Sequence, residues 1–263
     1  MAQAKIREPL KMQETLEKEN AGLLHDDDLV ERFPDSFRKQ HMLLIITFTT
    51  LLITGIPLLA PKFFLFSWIF SVPGMFAARS FLHRLAAAVF IGQSVYHVFF
   101  MAFKRDGRRD FLLMLPKKDD AAGAIGTILW NLGLKKEHPH FGRFSFIEKV
   151  EYLALIWGTI IMIVSGLILW LNMPLLAVLP KIVFDVSTII HSFEAVLAGL
   201  SIIIWHTYTV HLHPDFFPMN RAWLDGKISV KNMKKHHYLE YIEMMKNRGE
   251  PLPSGECSEK RDK

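Results

Sequence analysis

The sequence predicts an all-α membrane protein, a four-transmembrane-helix bundle with short interfacial helices outside the bilayer. Three observations carry that reading. Of the 263 residues 51% are apolar and 12% aromatic, while only 22% are charged. A mean hydropathy of +0.21 is too high for a soluble domain of this size and excludes intrinsic disorder. Four stretches are long and apolar enough to cross a bilayer core of about 30 Å, which takes roughly 20 helical residues. Lysine and arginine are shared very unevenly among the segments between those stretches, the pattern by which membrane proteins fix their orientation.

The chain opens with forty polar residues rich in Lys, Glu and Asp. The first span, at about 41–60, therefore lies too far along to be the apolar core of a cleaved signal peptide. The others fall at about 81–103, 150–171 and 187–210. Loops 61–80 and 172–186 carry only Lys62, Arg79 and Lys181, so both termini and the segment 104–149 are expected on the cytoplasmic side. This divides the chain into a cytoplasmic N-terminal arm (1–40), a transmembrane domain (41–210) containing the cytoplasmic loop 104–149, and a basic cytoplasmic tail (211–263). In that loop Lys104, Arg105, Arg108 and Arg109 stop the second span and suit contact with anionic lipid. Asp119 or Asp120 caps an interfacial helix through Ile125, Ile128, Leu129 and Leu132, which Gly133 ends. Ser229 caps a tail helix through Val230, Met233, Ile242 and Met245, stopped near Gly249. The basic polar face of that helix suits either partner docking or plain solvation, and His236 and His237 on it read as solvated. The ends, 1–25 and 250–263, read as mobile.

Composition also narrows the chemistry. The one cysteine, Cys257, rules out a disulfide, a cysteine-ligated iron–sulfur cluster and covalent c-type haem attachment. The formal net charge of +5 comes from residues flanking apolar spans, which is a topology signal rather than a nucleic-acid surface. No nucleophile–base pair, glycine-rich phosphate loop or metallopeptidase motif is present. What stands out is histidine. A polar ionisable side chain at membrane depth is costly and marks a functional site by default. Five histidines qualify: His41 opens the first span, His83 and His97 lie near the ends of the second, and His191 and His206 near the ends of the fourth.

Their spacing gives geometry. From His83 to His97 is 14 residues, 40° short of four helical turns and a rise of ~21 Å; from His191 to His206 is 15, 60° past four turns and ~22 Å. Each pair thus shares one broad helix face. The second and fourth spans run parallel, so His83 and His191 meet near the outer surface while His206 lies near the inner one. Ala86, Ala87, Gly92 and Ser94 on the second span, and Ala195, Ala198 and Gly199 on the fourth, leave room for a flat ring or for close helix packing. Two imidazoles from facing helices are the arrangement that holds haem iron on both sides. The inner partner of His206 stays open between His41 and His97. Arg79 and Arg84 are candidate partners for haem propionates or interfacial snorkelling residues. Glu194 is expected to pair with Arg84 or to relay protons, and Gln93 to bond the His97 ring or a quinone carbonyl. His211, with His213 and Asp215, suggests a polar turn near an inner quinone pocket more than a metal site.

With these residues in view, the chain resembles the four-helix di-haem cytochrome b family. That family includes the gamma subunits of formate dehydrogenases, the b-type cytochromes of nickel-iron hydrogenases and the membrane subunits of thiosulfate reductases. The resemblance covers about 30–245. It rests on Arg38-Lys39-Gln40-His41 leading to Thr54-Gly55-Ile56-Pro57, on Phe81-Leu82-His83-Arg84, on Val164-Ser165-Gly166-Leu167, and on Ile190-His191 with Trp205-His206-Thr207-Tyr208. The tail motifs Asp225-Gly226-Lys227-Ile228-Ser229 and Lys234-Lys235-His236-His237 match the formate dehydrogenase type. The resemblance implies two haem b groups, the outer held by His83 and His191 and the inner by His41 and His206, with quinone (menaquinone or ubiquinone) exchanging electrons beside the inner one. Two departures stand out. His97 is an extra histidine, similar to the paired pattern of cytochrome b in bc complexes, and His191 and His206 are 15 rather than 14 residues apart.

The expectation is therefore a subunit of the bacterial inner membrane that transfers electrons between the quinone pool and a periplasmic or peripheral redox partner, an iron–sulfur or multihaem protein, a dehydrogenase or a reductase. It acts as the electron-transfer and quinone-reactive part of an oxidoreductase complex, with no nucleic acid involved. The rival readings are a polytopic transporter or proton channel with a His and Glu relay, which predicts a colourless protein, and a purely structural anchor.

Overall fold

The computed structural model describes residues 24–250 apart from Leu65, Glu137 and His138. Cys257 and nearly all of the ends expected to be mobile lie outside that range. Four helices long and apolar enough to cross a membrane form the body. They are α1 (Asp35–Gly55, continued by a tight turn over Ile56–Leu58), α2 (Met75–Phe103), α5 (Phe146–Trp170) and α6 (Lys181–Leu200). The number and order of spans match the hydropathy reading, and their large side chains, such as Ile53, Phe81 and Phe193, stay exposed on the outside of the bundle.

Every helix begins several residues before the apolar run, because caps rather than hydropathy set a helix start. Pro34 and Pro180, in extended conformation, precede α1 and α6, and Gly74 precedes α2 with φ +79°. Ser145 and Glu148 form a reciprocal capping box on α5, satisfying two of its free backbone N–H groups. The far end of the fourth span also differs from an ideal helix. From Ser201 to Leu212 the backbone widens into π-helical turns; Thr207 N–H donates to Ile202 O and His213 N–H to Tyr208 O at 2.9 Å.

α1 packs along α2 and α5 along α6, making two hairpins, and close approaches between the hairpins are sparse. The seam between them is where the histidines converge.

On one side of the bundle the N-terminal segment, the middle loop and the tail build a cap. β1 (Leu29–Glu31) pairs antiparallel with β2 (Lys227–Ser229), Val30 opposite Ile228. Three-residue strands are too short for an alternating pattern to show in the sequence. Ile228, Val230, Met233, Tyr241 and Met245 form the cap's apolar core. Around it Arg32 donates to Glu240 at 2.9 Å, to Arg143 O at 2.8 Å and to Glu148 at 3.2 Å. Arg143 in turn donates to Asp110 at 3.0 and 3.1 Å and to Glu240 at 2.6 Å. These contacts place the arm, the loop and the tail on one side of the bundle.

The middle loop holds two helices, α3 (Arg105–Met114) and α4 (Lys118–Asn131). The second is a helix where one was expected, but its N-cap is Lys117 rather than Asp119 or Asp120; Asp120 accepts from the Lys117 N–H at 2.6 Å, and Gly133 follows with φ +72°. α3 was not anticipated. In the tail Ser229 does cap, accepting from Asn232 N–H at 3.3 Å, and Gly249 does stop the last helix with φ +70°. The single helix expected is broken into α7 (Val230–His236) and α8 (Tyr238–Arg248).

The break corrects the reading of His236 and His237 as solvated. His237 is 7% exposed and its Nδ1 meets Gly142 O at 3.1 Å, so the loop pulls it out of helical conformation. His236 packs on Phe216, ring centroids 4.7 Å apart, with Nε2 3.1 Å from Asp215. Burial outweighs that carboxylate and holds the His236 imidazole down to about 4, and it depresses His237 too. Both therefore fold in the neutral form. In the unfolded chain they take up protons below about pH 6.5, so their contribution is full above that pH and is lost as the pH falls toward 4. The thermal midpoint of the cap should fall over that window, and His237→Gln should flatten the dependence.

Candidate functional site

The histidines are held by the helices beside them. Near one end of the bundle Thr54 on α1 contacts His83 Nδ1 at 2.8 Å, and Ser165 on α5 contacts His191 Nδ1 at 3.0 Å. Each hydroxyl's one proton is already committed to the preceding turn, Thr54 to Thr50 O and Ser165 to Ile161 O, both at 2.6 Å. Each oxygen therefore accepts from its histidine, which places that proton on Nδ1 and leaves the Nε2 lone pair free. The carbonyls of Leu51 and Met162, three residues before each hydroxyl, are also within reach of the rings.

The residue after each hydroxyl is glycine, and a Cβ on Gly55 or Gly166 would come within 3.3 or 3.1 Å of the His83 or His191 Cε1. The two hairpins thus repeat one device, hydroxyl then glycine on the odd span cradling a histidine on the even one. His83 and His191 lie within electrostatic range of each other across the seam. An imidazole whose Nδ1–H is anchored by a neighbour is the usual state of a metal-ligating histidine.

Toward the capped end a second pair meets. The His41 and His206 ring centroids are 6.3 Å apart. That separation is within the range of an edge-to-face ring pair and leaves room for one metal ion at about 2 Å from a nitrogen of each ring. His206 Nδ1 is anchored by Glu151 at 3.1 Å. Among the described residues His41 Nδ1, the other carboxylate oxygen of Glu151, Trp223 Nε1 and Arg38 Nε are buried without a protein partner, and Trp223 sits against His41, 6.0 Å between centroids. The unpaired atoms of His41, Glu151 and Trp223 around one ring pair fit a group with polar edges between the hairpins, while Arg38 Nε lies by Gly226.

His97 is placed differently. Gln40 meets its Nδ1 at 2.8 Å and Tyr152 its Nε2 at 3.1 Å, so both ring nitrogens are occupied and the ring ties the two hairpins together. Gln93 does not bond it among the described residues; its side-chain oxygen is buried and unpaired.

Arg79 donates to Thr54 O at 2.5 Å and to Ser80 at 2.8 Å, beside His83, and Arg84 lies over Trp170 at 5.9 Å. The pairing of Arg84 with Glu194 is not found among the described residues. The Glu194 carboxylate instead packs against Gly158 of α5, which lacks the side chain that would exclude it. His211 rests on Trp223 at 6.3 Å, one ring away from His41. His213 and Asp215 face His236 instead, so the three polar groups of that turn do not converge. Gly92 faces open space and Gly199 packs on Leu52, one small residue leaving room and the other serving helix packing.

The sequence motifs contain Thr54, Ser165 and Gln40 without assigning them a contact, and sequence reasoning missed Glu151 and Tyr152. The signal for the first two was present, a hydroxyl–glycine pair near the same depth on both odd spans. For Glu151 it was a carboxylate one turn into an apolar helix.

No family model matches the chain. The cytochrome b556(fdo) subunit of formate dehydrogenase from Escherichia coli (strain K12) is 25% identical over 225 residues, covering 83% of this chain and 95% of that protein. The nitrate-inducible cytochrome b556(Fdn) subunits from the same strain and from Shigella flexneri are each 23% identical over 212 residues, 80% of this chain and 88% of theirs. These homologues match the family that the sequence motifs resemble.

Proposed function

Taking the chain as a membrane cytochrome b electron-transfer subunit, which its relatives and four spans support, we propose that it holds two haem b groups and moves electrons between a quinone and a partner redox subunit. His83 and His191 would ligate the outer haem, and His41 and His206 the inner one. The observation that carries this is the repeated hydroxyl–glycine cradle, which presents a free Nε2 from each hairpin toward the same seam. Haem b, when bound, supplies reversible one-electron transfer at its iron.

The chain's own residues do the rest. Thr54 and Ser165 fix ring orientation and tautomer and raise ligand basicity, and Glu151 does the same for His206. Arg79, beside His83, is placed to neutralise an outer propionate, with Arg84 further out. Trp223, beside His41, offers an unpaired donor to the polar edge of the inner group. His97 has neither nitrogen to spare, which favours His41 as the inner ligand. The chain Gln40–His97–Tyr152, with Gln93 nearby, suits binding of a quinone carbonyl, menaquinone or ubiquinone, and passage of protons to it; His211 lies behind Trp223 at the margin of that region.

In this reading arm 1–40, loop 104–149 and tail 211–263 face the cytoplasm of a bacterium. The partner redox subunit docks on the opposite side of the inner membrane, over loops 61–80 and 172–186.

Purified protein should show a reduced b-type spectrum with two non-covalent haems per chain, oxidised on adding a quinone. A colourless protein with transport activity would overturn the proposal. The hydroxyl anchors give a finer test. Thr54→Val and Ser165→Ala should each weaken outer-haem binding by roughly 10- to 100-fold, the usual effect of losing such a partner, and leave inner-haem binding unchanged in a titration of the apoprotein.

A further inference from the structure

The turn after the second span is clamped. Gly107 of α3 lies against the backbone carbonyl and ring of Phe100, so close that any side chain would overlap them. Asp110, one turn on, is held by two bonds from Arg143. Fixed this way, α3 and the end of α2 enclose an open cavity of about 660 Å³ lined by Lys104, Arg105, Arg108, Arg109 and Lys117, with no carboxylate in the lining. Among the described residues Lys104, Arg105, Arg108 and Lys117 form no ion pair, and Arg109 has only an Asp110 oxygen 3.7 Å away, which Arg143 already engages. The cavity is thus a built concentration of unneutralised positive charge.

Its remaining walls are apolar, from Phe103, Leu112 and Leu113. Phe103 stacks on Phe99, centroids 5.7 Å apart and planes at 23°, and both rings are exposed, 77% and 57%. They form an aromatic lane from the cavity down the outward face of a membrane-crossing helix. Cations at the end of a span with an exposed apolar lane below them match a molecule with an anionic head and hydrocarbon tails. A free anion has no use for the lane, and a nucleic acid does not reach the depth at which it runs.

We propose that this cavity binds one anionic phospholipid of the leaflet on the side of the cap, its phosphate on the Arg105–Arg108–Lys117 cluster and an acyl chain along Phe103 and Phe99. The test uses the full chain in detergent, with native mass spectrometry and lipid titration. Wild type should retain phosphatidylglycerol or cardiolipin in preference to phosphatidylcholine. The combined variant Arg105→Ala, Arg108→Ala, Lys117→Ala should bind the anionic lipid roughly 100-fold more weakly, at about fivefold for each surface cation. Lys181→Ala, at the other end of the bundle, should leave binding unchanged, and inorganic phosphate should not displace the lipid. All three substituted residues are exposed, and a milder Arg105→Gln, Arg108→Gln pair should show an intermediate loss. Equal binding of phosphatidylcholine, displacement by inorganic phosphate, or undiminished binding by the triple variant would overturn the proposal.

Discussion

Replacing His191 with alanine should lower the haem content from two per chain to one and abolish electron transfer across the membrane. Little else at the outer pair could hold an iron. Of the groups around the outer pair, Thr54 and Ser165 have their only proton bonded to a carbonyl and accept from the rings, and Arg79 is a cation. Among the described residues no further histidine is recorded in contact with His191, so the loss should be complete rather than partial. His83→Ala should give the same spectrum as His191→Ala, since in the proposed assignment both hold the same haem. Haem quantification against protein mass is the measurement, and retention of two haems by either variant would remove the outer site.

The second large effect separates His41 from His97. His41→Ala should remove the inner haem and leave one. His97→Ala should keep both haems while taking the partner from Gln40 Oε1 and the Tyr152 hydroxyl across the seam, both half-buried, a loss of roughly 1 kcal/mol for each bond. If the proposed quinone site is right, it should also slow oxidation by quinone, because the Gln40–His97–Tyr152 chain is broken. The order of these outcomes is what matters. If His97→Ala lost a haem and His41→Ala did not, the inner ligand assignment would be reversed while the outer site stood.

The parts of this molecule that were legible in the sequence are those governed by the bilayer. Twenty apolar residues in a row have few other uses, and an imidazole at membrane depth needs a reason to be there, so four spans and the key histidines could be read directly. What stayed hidden depends on contacts between distant segments. The pairing of Leu29–Glu31 with Lys227–Ser229 and the Arg32–Glu240–Arg143 network join residues far apart in the chain. His237 looked like one more basic tail residue until Gly142 claimed it.

The spacing of His191 and His206 shows a subtler limit. At 100° per residue, fifteen residues overshoot four turns by 60°. The last of those residues lie in π turns, which take about one residue more per turn than an α-helix. One absorbed residue takes off about 100°, so the 60° overshoot becomes a shortfall of about 40°, the value of a 14-residue spacing in regular helix. The extra residue that set this chain apart from the family pattern is absorbed where the inner pair forms, and regular helical arithmetic had no means of placing it.

The central claim is that Nε2 atoms from separate hairpins close on iron at two depths. The most direct measurement is a density map of the purified, pigmented protein with iron located by anomalous scattering or by its density. The account expects two iron positions, one between His83 and His191 and one between His41 and His206, with Thr54, Ser165 and Glu151 still on the Nδ1 side of their rings. Iron at neither position, or rings turned toward lipid with Nε2 bonded only to protein, would contradict it.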